Sequence, residues 1–195
     1  MRTKPISLTP LLLILVASCS TSAPEPTAAT LPDRPAGWRS IASDAGDVAL
    51  LVPPDFEASF TAEGVLAQPA DQDGASTLEI WAHGPVSVPQ PTAGETLRDW
   101  LEQSGWVPVA GGVTTIGDRT DREVLLASGR ALQVALTVQP RTPEESRVVV
   151  YAVQTQTGIA ILRFIGWPPQ RIHERADELE IVAQLATFGE PAAGD

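Results

Sequence analysis

The sequence predicts an α+β fold: one antiparallel β-sheet flanked by two main helices, in a sandwich-like α/β/α arrangement. Three observations carry this. First, the second half of the chain holds two pairs of strand-like runs, residues 123–128 with 131–140 and residues 147–154 with 159–166, each pair joined by a short turn. Short turns join antiparallel strands, whereas parallel strands need crossovers of about a dozen residues or more. Second, Val148-Val149-Val150-Tyr151 and Ile159-Ala160-Ile161-Leu162 are apolar on both sides, the signature of central strands covered on both faces. Third, two segments, residues 92–104 and 169–185, carry a strong apolar stripe at helical spacing, which makes them the covers.

The N-terminal stretch has another character. Met1, Arg2 and Lys4 precede an apolar run over residues 11–17. A positive start, a short apolar run and small residues before a cut make a secretory signal. The run is too short to span a bilayer, which takes about 20 apolar residues. Leu15-Val16-Ala17-Ser18-Cys19 resembles a lipobox, and that resemblance implies cleavage after Ser18 and a lipid on the Cys19 thiol. The alternative is an ordinary secretory signal that happens to contain a cysteine. Cys19 is the one cysteine in the chain and sits where lipidation needs it, which favours the lipid. It follows that the folded part has no disulfide, no CxxC redox motif and no cysteine metal site.

Residues 20–37, STSAPEPTAATLPDRPAG, have no apolar periodicity and read as a linker. Extended at about 3 Å per residue, such a linker lifts a domain up to roughly 50 Å from a lipid surface. The expected organisation is therefore a signal peptide over 1–18, a lipidated Cys19 and disordered linker over 19–37, one globular domain over 38–190 and a flexible tail over 191–195. Loss of Arg2 and Lys4 with the signal takes the formal net charge from −11 to −13. That balance opposes nucleic acids and anionic head groups, both polyanions. A covalent lipid rather than a basic patch would hold the chain at a membrane.

Within the domain, residues 38–42 and 48–52 read as strands about an Asp44-Ala45-Gly46-Asp47 turn, and Pro53-Pro54 ends the second. In residues 76–83, STLEIWAH, Leu78, Ile80 and Ala82 alternate with Glu79, Trp81 and His83, as in a half-buried strand. Thr92 and Glu95 fit a capping box, Leu97, Trp100 and Leu101 form one apolar face, and Gly105 ends that helix. Gly129-Arg130 is read as a tight hairpin, with Leu132, Val134, Leu136 and Val138 alternating against Gln133, Ala135, Thr137 and Gln139. Pro168-Pro169 suits the start of the last helix. Its face is Ile172, Ala176, Leu179, Val182 and Ala183.

This order of elements resembles the PsbP-like α/β/α sandwich family, a fold shared by LpqN-type bacterial lipoproteins. Residues 47–56 (DVALLVPPDF) are similar to the strand-then-proline start of such domains, 146–166 to their central hairpin, and 172–188 to their closing helix and aromatic tail. The likeness is one of pattern, without a diagnostic motif. It implies a non-catalytic assembly or binding module and assigns no site residues.

No motif specifies a metal, a cofactor or a catalytic constellation. His173 and Asp177 lie at i and i+4, but a zincin needs a second histidine where Asp177 stands, and a solvated charged face explains them. Asp71-Gln72-Asp73-Gly74 fails as a calcium loop, with Pro69 and Ile80 at the first and last ligand positions; a turn is the simpler reading. His83, before Gly84-Pro85, has no nucleophile motif to serve. Of the five tryptophans, Trp38, Trp100, Trp106 and Trp167 read as packing. Trp81 faces away from Leu78 and Ile80, so it is either covered by a helix or an exposed binding aromatic. Two helices on one sheet face would leave the other face open around Trp81; helices on opposite faces would push any site to an edge or to loops. Trp81 and His83 are thus the candidates for ligand contact.

The expectation is a lipid-anchored, extracytoplasmic module of the cell envelope, without cofactor, that binds a protein or small-molecule ligand. The rival is an extracytoplasmic hydrolase using two carboxylates at a defined separation. For the anchor the outcome is concrete: Cys19→Ala should abolish detergent partitioning and move the protein to the soluble fraction, and equal membrane retention of the variant would refute lipidation.

Overall fold

The computed structural model describes residues 31–61, 64–72, 74–86, 97–111 and 113–189. The signal, Cys19, most of the linker, the Thr92/Glu95 capping box and the tail after residue 189 lie outside the described residues.

The sheet is antiparallel throughout, as its short connections require, but it is not alone. Seven strands form the main sheet in the order β3-β4-β5-β9-β8-β7-β6: β3 (Phe56–Thr61), β4 (Gly64–Pro69), β5 (Thr77–Val86), β6 (Ile116–Leu126), β7 (Gly129–Val138), β8 (Ser146–Gln154) and β9 (Ile159–Trp167). A second, three-stranded sheet joins β1 (Arg39–Ala42), β2 (Val48–Val52) and β10 (Thr187–Phe188). The expected single sheet is corrected on this point. Val48, Leu50 and Val52 are almost wholly buried, so β2 is a cover for the main sheet rather than a member of it.

Connectivity explains the layers. The chain leaves β5 in the middle of the sheet, passes α1 (Leu97–Gln103), and enters β6 at the far edge. It then returns strand by strand until β9 pairs with β5, Ile80 opposite Phe164 and Trp81 opposite Arg163. The crossover therefore runs over β7–β9 on one face. There Trp100, Leu101 and Val107 pack on Val134, Leu136, Val148, Val150, Ala152 and Ile161. After β9 the chain turns onto the opposite face with α2 (Gln170–Glu174) and α3 (Ala176–Leu185), which with β2 bury Phe56, Ile80, Leu162, Phe164 and Tyr151. The two helical covers thus sit on opposite faces.

Several expectations change in detail. The last helix is two: Arg175, at φ −117° and ψ 20°, breaks it. The Arg175 guanidinium grips the Asp55 carboxylate with two hydrogen bonds of 2.7 and 3.0 Å, bonds Glu178 at 2.5 Å, and lies over the Phe56 ring. β3 and β4 had no clear sequence signal, since Ala58, Ala67, Gly64 and Pro69 blur the alternation. β6 begins seven residues earlier than its apolar stretch, at Ile116 rather than Glu123, because an edge strand tolerates charge on its open side. The β6–β7 turn falls on Ala127-Ser128, not Gly129-Arg130: Leu126 pairs with Gly129. Ala127 N–H donates to Gln184 O at 3.1 Å and the Ser128 hydroxyl to Ala186 O, so the end of α3 fixes the turn.

Gly166 lets α2 lie against β9. A Cβ there would stand 2.7 Å from Ile172 Cγ1 and 3.1 Å from the Ile172 backbone nitrogen. Gly166→Ala should therefore push α2 off the sheet and cost about 1–3 kcal/mol, the usual range for overpacking, measured as a lowered urea midpoint with an unchanged m-value.

Candidate functional site

On the α1 face no helix among the described residues packs on β3 or β4, while His83 of β5 is buried against Trp106 from the segment after α1. Glu57 and Ser59 on β3, Leu66 and Gln68 on β4, and Glu79 and Trp81 on β5 share this half-face with Arg163 and Ile165 of β9. Leu66, Gln68, Glu79, Trp81, Arg163 and Ile165 are only partly buried, while Val65, Ala67, Leu78, Ile80 and Ala82 on the reverse side are fully buried. Sequence alternation had oriented β5 correctly, with Trp81 opposite the Leu78/Ile80 side. The two-case expectation was too coarse, however: the helices do lie on opposite faces, yet α1 packs on β7–β9, and among the described residues no helix lies over β3 and β4 on that side.

Trp81 stands at the centre of this half-face. Its indole N–H donates to Glu79 Oε2 at 2.8 Å, and Glu79 Oε1 accepts from Gln68 Nε2 at 3.2 Å. Its ring stacks near-parallel to His83, with centroids 6.2 Å apart. His83 is in turn met edge-on at 4.4 Å by Trp106, from the segment after α1. Arg163 completes the cluster, its guanidinium carbon 5.8 Å from the centroids of both Trp81 and Trp106. Two aromatic faces on one guanidinium suit cation–π attraction. Its Nε is buried and has no hydrogen-bond partner, and burial lowers the affinity of the guanidinium for its proton, an effect that the Glu79 charge opposes.

The structure therefore brings Trp81 and His83 together, and adds two residues that sequence reasoning passed over. Trp106 had been read as packing, and Arg163 is one charge in an apolar strand. The signal for Arg163 was present: a lone arginine inside IAILRFIG is costly unless something holds it. His83 is 6% exposed and sits just before a bulge that shifts the β5–β9 register between His83 and Val86. It is the base of the cluster, and Trp81 and Arg163 are its accessible part.

The other candidates separate. The break at Arg175 puts His173 and Asp177 in different helices, both exposed. Gly74 has φ +74°, as a turn residue does, and Gln72 spends its side chain on Leu78 O at 2.7 Å; Asp73 lies outside the described residues. Among the described residues, no group of three or more His, Cys, Asp or Glu side chains is placed to hold a metal ion. Glu102 and Asp121 converge, but on Arg119, at 2.5 and 2.9 Å, as an ion-pair clamp between α1 and β6. Asp55 is held below the ordinary carboxylate range, chiefly by its hydrogen bonds to Arg175, the opposite of what a general acid needs. No helix among the described residues is long and apolar enough to cross a membrane.

No protein-family model matches this chain, and no curated protein matches it. Two examples show the solved structures to which this chain is similar. One is cyanobacterial PsbP (CyanoP) from Synechocystis sp. PCC 6803, 11% identical with a TM-score of 0.49, the match covering 85% of this chain and 100% of that one. The other is the Saccharomyces cerevisiae Ran-binding protein Mog1p, 10% identical with a TM-score of 0.48, covering 77% of this chain and 95% of that one. These likenesses concern architecture; the reading of the site rests on this chain's own residues.

Arg163 makes a sharp test of whether the half-face is built for folding. An unsatisfied buried polar group costs about 1–3 kcal/mol, and two cation–π contacts return about 0.5–1 kcal/mol each. Arg163→Met keeps the stem and removes both terms. Its urea midpoint should equal or exceed that of the parent; a loss above about 2 kcal/mol would show that Arg163 is a structural residue.

Proposed function

We propose that this chain is a non-enzymatic binding module, held at the outer side of a membrane by a lipid on Cys19, with the Trp81–Arg163 half-face as its contact surface. In this reading it joins the LpqN-type lipoproteins as a PsbP-like domain on a tether. The observation that carries the proposal is the Arg163 guanidinium beside Trp81 and Trp106, partly desolvated and with Nε unpartnered, next to strands β3 and β4 that carry no helix on that side among the described residues. Tryptophan and arginine dominate the energetics of protein interfaces because each buries a large, preorganised surface with a polar end. Here both are held on paired strands, so little side-chain freedom remains to be lost on binding. The acidic balance, −13 after loss of the signal, favours a neutral or basic partner over a polyanion.

A photo-crosslinking residue in place of Leu66, beside Trp81, tests this in intact cells. The expected result is a discrete adduct with an envelope protein, absent when the probe replaces His173 at the exposed end of α2. Trp81→Ala should weaken that partner by about 2 kcal/mol, roughly thirtyfold, while leaving the protein folded. Adducts equally frequent from both probe positions, or insensitive to Trp81→Ala, would overturn the proposal.

A further inference from the structure

A second concave site lies on the other side of the sheet and has different chemistry. Between α3 and strands β6–β8 a pocket of about 240 Å³ opens, walled by Val124, Leu126, Phe164, Ile172 and Leu179. Gln133 and Tyr151 also line it, and both are buried, 8% and 7% exposed. Gln133 is the unexpected one. The strand alternation put it on the polar side of β7, and that side faces α3 rather than water.

The two polar groups are wired in one direction. Arg122 Nε donates to Gln133 Oε1, and Gln133 Nε2 donates to the Tyr151 hydroxyl oxygen at 2.5 Å. A phenol oxygen both accepts and donates. With its oxygen engaged as acceptor, Tyr151 keeps its own O–H, which has no protein acceptor among the described residues. The ring is fixed edge-on against Phe164, centroids 5.8 Å apart. Burial raises the Tyr151 pKa, an effect the Gln133 bond partly offsets, so the group remains a neutral donor at neutral pH.

Size and charge narrow the occupant. An engineered apolar cavity of about 150 Å³ admits benzene. The larger volume here admits such a ring with a short substituent. Arg122 and Glu180, both exposed, bring opposite charges to the pocket lining, which favours neither an anion nor a cation. We propose that this pocket binds a small, neutral, largely apolar molecule bearing one carbonyl oxygen, which accepts the Tyr151 hydrogen bond. The site is independent of the Trp81 half-face, on the opposite side of the sheet.

Acetophenone and ethylbenzene, near-isosteres with and without the carbonyl, are the probes. They are titrated into the full chain carrying Cys19→Ala, with methyl signals of Ile172 and Leu179 followed by NMR. Acetophenone should shift these signals saturably and bind about tenfold more tightly than ethylbenzene, the factor a single neutral hydrogen bond supplies. In Tyr151→Phe the preference should fall below about twofold while ethylbenzene binds as before. Ala176→Phe, at an exposed wall position on α3, should block both probes and needs no change to the hydrogen-bonded pair. Equal affinity of the two probes for the parent chain, a preference retained in Tyr151→Phe, binding unaffected by Ala176→Phe, or no response to either probe at millimolar concentration would each overturn the inference.

Discussion

The pairing of β5 with β9 is the constraint from which the rest of the molecule follows. β5 is placed early, from the first half of the chain, and its second edge must wait for a strand some eighty residues later in the sequence, since Ile80 meets Phe164. Everything between is the excursion that makes the meeting possible: over the sheet through α1, in at the edge as β6, and back through β7 and β8. β9 is the strand that can close the circuit because Ala160, Leu162 and Phe164 belong to one core while Ile159 and Ile161 belong to the other. A strand of that kind cannot lie at an edge without exposing one of its two apolar sides, so burial itself selects the centre of the sheet.

The two faces of the sheet are covered differently. The described part of the crossover, α1 and the segment after it, packs over β7–β9 and meets β5 at His83, and on that side no helix among the described residues packs on β3 or β4. On the reverse side β1 and β2 precede the main sheet in the chain, and α2, α3 and β10 join them after β9 to cover that face. Side chains follow this difference. Leu66, Trp81 and Ile165 on the open half are amphipathic in context, partly buried among Gln68, Glu79 and Arg163, whereas their neighbours on the closed side are small or aliphatic and dry.

What could be read from the sequence was set by how local each signal is. The hairpin of β8 and β9 was legible because its apolar runs and the Thr155–Gly158 turn are contiguous, and the turn closes with Thr155 N–H to Gly158 O at 2.9 Å. The orientation of Trp81 was legible for the same reason, since alternation is a property of neighbouring residues. The small sheet was not, because β10 is two residues long and exists only by pairing Thr187 with Ala49 and Phe188 with Val48. Nor was the break at Arg175. A continuous apolar stripe predicts a continuous helix, and what interrupts it is an aspartate 120 residues away in sequence. Arg163 and Gln133 lay between these cases: each is visible as a polar residue in an apolar strand, but which partners hold it depends on the cross-strand register.

That last class of residue carries the functional argument at both sites. A polar side chain on a central strand is a cost to folding unless its hydrogen bonds are complete. Gln133 has a partner on each side of its amide, yet the chain of donors ends in a Tyr151 proton without an acceptor among the described residues. Arg163 is held by two indole faces and the field of Glu79, yet its Nε is unmet. Either position filled by an aliphatic residue would satisfy the sheet at lower cost. The two incomplete positions also differ in what they offer. At Tyr151 the unused group is neutral, recessed and single, which fits a small molecule with one acceptor. At Arg163 it is cationic and lies at a broad aromatic surface, which fits a side chain or backbone of another protein. Because the sheet separates them, a change at one position need not disturb the other.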